Sequence, residues 1–148
     1  MIREATKNVT ELAEELRPIL IRAARELRRE TESLGVATRH VTLISRVQSD
    51  PGLSLRELAG LEGISAPALS DHVDRLEEAG YVVRVRAADD RRRVGLELTP
   101  AGESLLRRVR ARRTTWLVRR LDSIAGDDLT AIEAALPALR TLLAEEPR

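Results

Sequence analysis

The residues in this sequence best suited to chemistry are arginines grouped in one short stretch. Between Arg84 and Arg93, five arginines stand beside two aspartates, which leaves a local excess of three positive charges. A guanidinium group binds phosphate through two parallel hydrogen bonds. At the tip of a hairpin it can also enter the minor groove of DNA, where a narrow groove enhances the negative potential. A merely solvated charged loop is the alternative. The stretch therefore predicts contact with the minor groove and the phosphate backbone.

A second candidate surface is the polar N-terminal half of a helix predicted to begin after Ser65. A helix in the major groove reads base edges with the exposed residues of this half. Ser70 can donate or accept a hydrogen bond, Asp71 can accept one from cytosine, and Arg75 is suited to a phosphate. The alternative is an ordinary solvated helix face. The DNA contacts predicted from both surfaces are Arg56, Ser65, Pro67, Ala68, Ser70, Asp71, His72, Arg75, Asp90, Arg91 and Arg92.

Other chemistries find little support in the composition. Cysteine is absent, which excludes disulfides, thiolate nucleophiles and cysteine-based zinc sites. The only histidines, His40 and His72, lie far apart in the sequence, and no Gly-rich phosphate loop follows a strand. We therefore expect no enzymatic activity, no metal and no cofactor.

Residues 54–99 contain seven arginines and nine acidic residues, so affinity for DNA must depend on where the charges lie.

The helices and strands that position these side chains can be predicted from capping residues and from the spacing of apolar residues. Thr38 is expected to cap a helix that runs to about Ser49. Ser54 and Glu57 predict a capping box for a short helix over residues 55–62, which Gly63 ends. Ser65 caps the next helix, which runs to Ala79 before Gly80. Two short helices joined by a glycine-containing turn predict a helix-turn-helix.

The apolar period then changes from that of a helix to that of strands. Tyr81, Val83 and Val85 alternate with Val82, Arg84 and Arg86, and Leu96 and Leu98 alternate with Gly95 and Glu97. The segment between these two strands, residues 87–93, predicts a hairpin loop that projects as a wing. Thr99 and Pro100 then begin a long helix, predicted to end near Ile124.

The two ends of the sequence carry narrow apolar stripes at helical spacing. The first stripe includes Ile2, Ala5, Leu12, Leu16 and Ile19, in a helix expected to continue to about Leu34. The last stripe, in a helix opened by residues 126–128, consists of Leu129, Ile132, Leu136, Leu139 and Leu143. Stripes this narrow usually meet another helix, so they predict a homodimer.

This order of elements resembles the MarR family, the multiple-antibiotic-resistance regulators, over nearly the whole chain. Residues 51–59 resemble the family's approach to the helix-turn-helix, and residues 74–82 resemble the end of its recognition helix. The most specific match is residues 90–92, Asp-Arg-Arg, followed after five residues by Leu-Thr and then by Gly102. His40 and Ala37 depart from the family's usual residues, but neither belongs to the parts that read DNA.

The resemblance also implies roles for individual residues. Arg92 would enter the minor groove, and Asp90 would orient it through a side-chain contact. The family binds a small aromatic or anionic ligand near helices that here carry Arg39, His40 and Trp116. An arginine can pair with a carboxylate and an indole can stack on a ring. The alternatives are a tryptophan in the core and a histidine that serves only as a hydrogen-bonding residue.

The expected fold is mainly α with a small two-stranded β-wing, as one domain over residues 1–148. Residues 38–99 would form its winged helix-turn-helix core, and residues 1–34 and 100–148 its dimerisation helices. The expected protein is a cytoplasmic, ligand-responsive repressor that binds an inverted repeat in double-stranded DNA. It would not enter a membrane, since no apolar run is long enough and the first residues lack a signal-peptide stretch. The alternatives are a winged-helix module that binds another protein and an architectural DNA-binding protein without an effector.

Overall fold

The computed structural model describes residues 8–144, and its order of elements confirms the predicted fold class. The described chain divides into two compact units, the first ending at Arg113 and the second beginning at Thr114. The elements are α1 (Val9–Arg29), a short 3-10 helix (Glu32–Leu34), α2 (Thr38–Ser49), α3 (Leu55–Glu62), α4 (Ala66–Glu78), β1 (Val82–Arg86), β2 (Val94–Leu98), α5 (Pro100–Leu121) and α6 (Gly126–Leu142).

The caps of the two short helices are the predicted ones. The Ser54 hydroxyl accepts from the Glu57 N–H at 3.1 Å, and the Ser54 N–H donates to the Glu57 carboxylate at 2.7 Å, so the capping box is complete. Gly63 ends α3 with a φ of +63°, in the left-handed region. The Ser65 hydroxyl accepts from the Ala68 N–H at 3.3 Å and caps α4. Thr38 was expected to cap α2, but it is the helix's first residue and Ala37 stands at the cap.

The first helix ends earlier than its sequence predicts. It was expected to reach Leu34, but α1 stops at Arg29. The reason is local, because both the N–H and the hydroxyl of Thr31 donate to the Arg28 carbonyl, at 3.1 and 2.8 Å. These bonds tighten the chain into the 3-10 turn that follows. The predicted start, with Ile2 and Ala5, lies outside the described residues.

The core of the first unit is built from α2, α3, α4, the hairpin and the first half of α5. Each helix contributes apolar residues at helical spacing, as the sequence predicts. Leu43, Ile44, Val73 and Leu105 are fully enclosed. The buried apolar residues are Val41, Leu43, Ile44, Val47, Leu58, Ala59, Leu69, Val73, Leu76, Val82, Leu96, Leu105, Leu106 and Val109.

The inward face of β1 is the one that carries Val82. Val82 is 1% exposed, whereas Val83 is 44% exposed. The strands pair antiparallel with Val82 opposite Leu98 and Arg84 opposite Leu96. Directly paired residues share a face of the sheet, so Arg84 lies on the same face as the buried Val82 and Leu96. The alternation in the sequence left this orientation open, because Val82, Val83 and Val85 are all apolar.

The hairpin is joined to α5 by a close backbone approach at Gly102. The Thr99 hydroxyl donates to the Gly80 carbonyl and accepts from the Gly102 N–H at 3.1 Å. A Cβ on Gly102 would lie 2.2 Å from the Tyr81 carbonyl oxygen. Only glycine fits at position 102. The hydroxyl of Thr99 and the missing side chain of Gly102 are both needed for this junction, which explains their spacing of three residues.

Gly102→Ala is expected to lower the free energy of unfolding by about 1–3 kcal/mol, because the new methyl group collides with backbone that cannot yield easily. Urea denaturation measures the effect. Gly60→Ala is the matched control, since Gly60 is also helical but has nothing within 4 Å of its added Cβ. That variant should be neutral or more stable, by up to about 1 kcal/mol. Equal unfolding free energies for the two variants would contradict the steric argument.

Candidate nucleic-acid interface

An open cleft of about 650 Å³ lies between the helix-turn-helix and the wing. It is lined from three directions, by the start of α3, the start of α4 and the loop that joins β1 to β2. Four of the predicted DNA contacts meet in this cleft: Arg56, Ser70, Asp90 and Arg92. The fold therefore brings together residues that are up to 36 positions apart in the sequence.

The start of α4 presents the expected polar side chains. Leu69 and Val73 are buried, which turns the intervening residues away from the core. Ser65, Pro67, Asp71 and Arg75 are exposed, whereas Ala68 and Ser70 are half-buried. The Ser65 hydroxyl is already used as the helix cap. The N-terminal amides of the helix also favour negative charge such as that of a phosphate.

His72 is engaged differently from its neighbours on α4. Its Nδ1 lies 3.2 Å from Nε2 of His40 at the start of α2, and the two rings meet edge to face. Burial lowers the pKa of His40, and the nearby His72 and Arg75 lower it further. Burial, more than the contact with His72, therefore favours the neutral form of His40. The ring of His72, which the sequence suggested as a base contact, thus faces α2, and its role at DNA stays a prediction.

The wing loop is shaped by hydrogen bonds of Asp90. Its side chain accepts from the backbone N–H of Arg92 at 2.9 Å, and its carbonyl accepts from the Arg93 N–H at 3.0 Å. The resemblance suggested that Asp90 orients Arg92 by a side-chain contact, but the bond goes to the backbone of Arg92 instead. Asp90 therefore sets the turn from which Arg92 projects.

The wing arginines form two groups. Within residues 8–144, the exposed side chains of Arg91 and Arg92 make no ion pair. Arg93 donates to the Glu57 carboxylate at 2.8 Å and to the Gly52 carbonyl at 3.3 Å. Hydrogen bonds from Ser54 lower the pKa of Glu57, and Arg93 lowers it further. Arg93 therefore ties the wing to the capping box of α3.

Arg84 is the second internally paired arginine, and sequence reasoning missed its role. It donates to Ser70 at 3.3 Å, to Asp74 at 2.7 Å and to Glu77. These three acceptors recur at steps of four and three residues, so they line one side of α4. The sequence signal for this pairing was the presence of two acidic residues, Asp74 and Glu77, on one side of a helix that directly precedes an arginine-rich strand.

The residues suggested for an effector each have a partner of their own. In the first unit, Arg39 lies 4.0 Å from the Glu62 carboxylate. In the second unit, the guanidinium carbon of Arg120 lies 5.5 Å from the ring centre of Trp116. That distance is typical of a cation–π contact. Trp116 is half-buried.

Two other kinds of site are missing from the described part of the chain. Residues 8–144 contain no cluster of three or more His, Cys, Asp or Glu side chains that could hold a metal ion. None of the helices in this range is both long and apolar enough to cross a bilayer.

Comparison with known proteins agrees with this geometry. A family model described as winged helix-turn-helix DNA-binding matches residues 39–83. An uncharacterised HTH-type transcriptional regulator of Mycobacterium leprae is 25% identical over 92% of this chain and 95% of its own length.

Two solved structures share the fold. A MarR family protein from Bacillus stearothermophilus has a TM-score of 0.76 and 23% identity, over 95% of this chain and all of that one. A MepR variant from Staphylococcus aureus, bound to an oligodeoxyribonucleotide, has a TM-score of 0.67 and 17% identity, over 94% of this chain and all of that one. With its helix-turn-helix, its wing and these relatives, the chain contains a winged helix-turn-helix DNA-binding domain, is similar to HTH-type transcriptional regulators and has the fold of MarR family proteins.

Proposed function

We propose that this chain is a sequence-specific repressor that binds an inverted repeat in double-stranded DNA as a homodimer. The observation that carries the proposal is the cleft between α4 and the wing. It combines hydrogen-bonding side chains on the exposed start of a helix with the guanidinium groups of Arg56 and Arg92. The MepR variant of similar fold was solved with an oligodeoxyribonucleotide, which supports the same kind of ligand here.

The two parts of the interface have different tasks in this proposal. The start of α4 lies in the major groove, where Ser70 and Asp71 discriminate between base edges. Arg91 and Arg92 lie at the minor groove and its phosphates, where an exposed guanidinium gains most from the negative potential. Arg56 and Arg75 contact the backbone and fix the register of the helix on the duplex.

The homodimer is supported by the apolar surfaces of α1 and α6. Neither helix has a buried residue in the described chain. Leu12 and Ile19 of α1 are 46% and 62% exposed, and Ile132 and Leu136 of α6 are 43% and 42% exposed. Apolar surface of this extent on helices marks an interaction site, and a second copy of the chain is its proposed occupant, because most soluble oligomers are symmetric assemblies of identical chains.

The DNA site is expected to be an inverted repeat with half-sites centred about 10 base pairs apart, because a two-fold dimer places its recognition helices in successive major grooves. Selection of bound fragments from random DNA, followed by footprinting, tests this. A single asymmetric site would contradict the dimeric arrangement. If no DNA is selected at all, the function is that of a winged-helix module that binds another protein.

We include a small aromatic or anionic effector in the proposal. The pairing of Arg120 with Trp116 supports it, because such a pair can also accept a planar anion. An architectural DNA-binding protein without an effector is the alternative. Titration of the protein–DNA complex with aromatic carboxylates such as benzoate distinguishes the ligand-responsive repressor from the architectural protein. Only the ligand-responsive protein would release the selected DNA.

A further inference from the structure

Arg84 occupies an unusual place for an arginine of the wing. It stands on β1 opposite Leu96, on the sheet face that also carries the buried Val82. Its side chain is 29% exposed and reaches the recognition helix α4 rather than solvent. One nitrogen of its guanidinium group bonds both Ser70, at 3.3 Å, and Asp74, at 2.7 Å, and the other bonds Glu77.

The contact with Ser70 constrains what that hydroxyl can do. A serine hydroxyl has one hydrogen to donate and two lone pairs to accept with. A guanidinium group only donates, so its bond with Ser70 occupies a lone pair of the oxygen and leaves the hydrogen for another partner. Ser70 lines the cleft, where that partner can be a base.

The contacts with Asp74 and Glu77 have an electrostatic effect. Both carboxylates lie on α4, and each would repel the phosphates of a duplex held against that helix. Arg84 is the only cation that pairs with either of them among residues 8–144. A charge-assisted pair of this kind reduces the repulsion and also holds the wing against α4.

We propose that Arg84 is a specificity-determining residue that acts through Ser70. By occupying one of the two lone pairs of the Ser70 oxygen, it favours donation by the hydroxyl, so that each half-site prefers a base with an acceptor in the major groove, such as guanine O6 or N7, thymine O4 or adenine N7. Cytosine is disfavoured there, because its amino donor can use only the lone pair that Arg84 leaves free and offers no acceptor to the Ser70 hydrogen. The guanidinium group of Arg84 also offsets the negative charges of Asp74 and Glu77, and it does so without contacting DNA. This inference rests on the proposed sequence-specific binding and on Ser70 as a base contact.

The test compares base preferences of Arg84→Met with those of the wild type on variants of the selected operator. Methionine keeps much of the apolar stem but loses the donors and the charge. At the position read by Ser70, the ratio of affinities for acceptor bases over cytosine should fall about three- to tenfold, the range of one hydrogen bond. Ser70→Ala should lose the same preference, and the double variant should lose no more than either single one.

Arg93→Met is the matched control, because it also removes one wing guanidinium paired with an acid of the helix-turn-helix. It should weaken binding but leave the preference at the Ser70 position unchanged. A triple variant adds Asp74→Asn and Glu77→Gln to Arg84→Met and so removes the two carboxylates that lost their cation. It should regain the overall affinity for the operator, but it should not regain the base preference at the Ser70 position. If Arg84→Met alone does not fold by circular dichroism, this triple variant carries the comparison of base preferences, because it leaves neither carboxylate of α4 without its cation.

The outcomes separate this inference from the function on which it rests. If the wild-type protein selects no sequence, the proposed function fails. If the wild type is selective and the preferences of a folded Arg84 variant are unchanged, only the role of Arg84 is refuted. Equal loss of preference in the Arg84 and Arg93 variants would also refute it, since a general loosening of the wing would then be responsible.

Discussion

Replacing Ile132 and Leu136 together with glutamate is expected to leave the chain folded but monomeric. Binding to an operator with two half-sites should then weaken by roughly 10²- to 10⁴-fold, because the second half-site is no longer bound as part of one molecule. The two side chains are 43% and 42% exposed, so the glutamates cost little in the isolated chain. In a dimer interface they would be buried without partners.

Sedimentation equilibrium at micromolar concentration and titration of the operator measure the two effects. Thr130→Glu is the control, since it adds one glutamate on the opposite side of α6, two residues from Ile132. That variant should remain dimeric and bind normally. A wild-type chain that sediments as a folded monomer, or a double variant that stays dimeric, would contradict the assignment of α6.

Arg92→Ala is expected to weaken operator binding by about 1–3 kcal/mol and to reduce the dependence of the affinity on salt, because fewer counterions are released. Its side chain is exposed on a turn held by Asp90, so folding should be unaffected. The remaining selectivity at the outer positions of the site should follow groove width rather than base identity.

Ser70→Ala and Asp71→Asn should impair DNA binding in a different way from Arg92→Ala. They should change the preferred bases at the centre of the half-site and leave the salt dependence nearly intact, because neither removes a phosphate contact. Titrations of operator variants at two salt concentrations, with circular dichroism as a control for folding, compare all three. Full affinity and an unchanged salt slope in the Arg92 variant would remove the wing tip from the mechanism.

The features that the sequence predicted correctly are those that depend on neighbours in the chain. The Ser54 and Glu57 capping box, the left-handed Gly63 and the cap at Ser65 each follow from side chains within three residues of a helix end. Such interactions are nearly independent of tertiary context. This is why the helix-turn-helix could be placed to within a residue or two.

The buried face of β1 and the internal pairing of Arg84, which the sequence did not reveal, depend on contacts between distant segments. Val82, Val83 and Val85 are all apolar, so their alternation could not show which face of β1 is buried. The face is decided by pairing with β2. Arg84 was counted with the basic patch because its acceptors lie seven to fourteen residues away on α4. A local excess of charge does not reveal which arginines are paired internally.

The pairing of Trp116 with Arg120 has a practical consequence for spectroscopy. Trp116 is the only tryptophan of the chain and belongs to the unit that begins at Thr114. Every proposed DNA contact belongs to the unit that ends at Arg113. A change in tryptophan emission when DNA binds would therefore report on the unit that carries no proposed DNA contact. The protein thus contains its own fluorescent probe of the second unit, and no external label is needed to follow that unit when DNA is added.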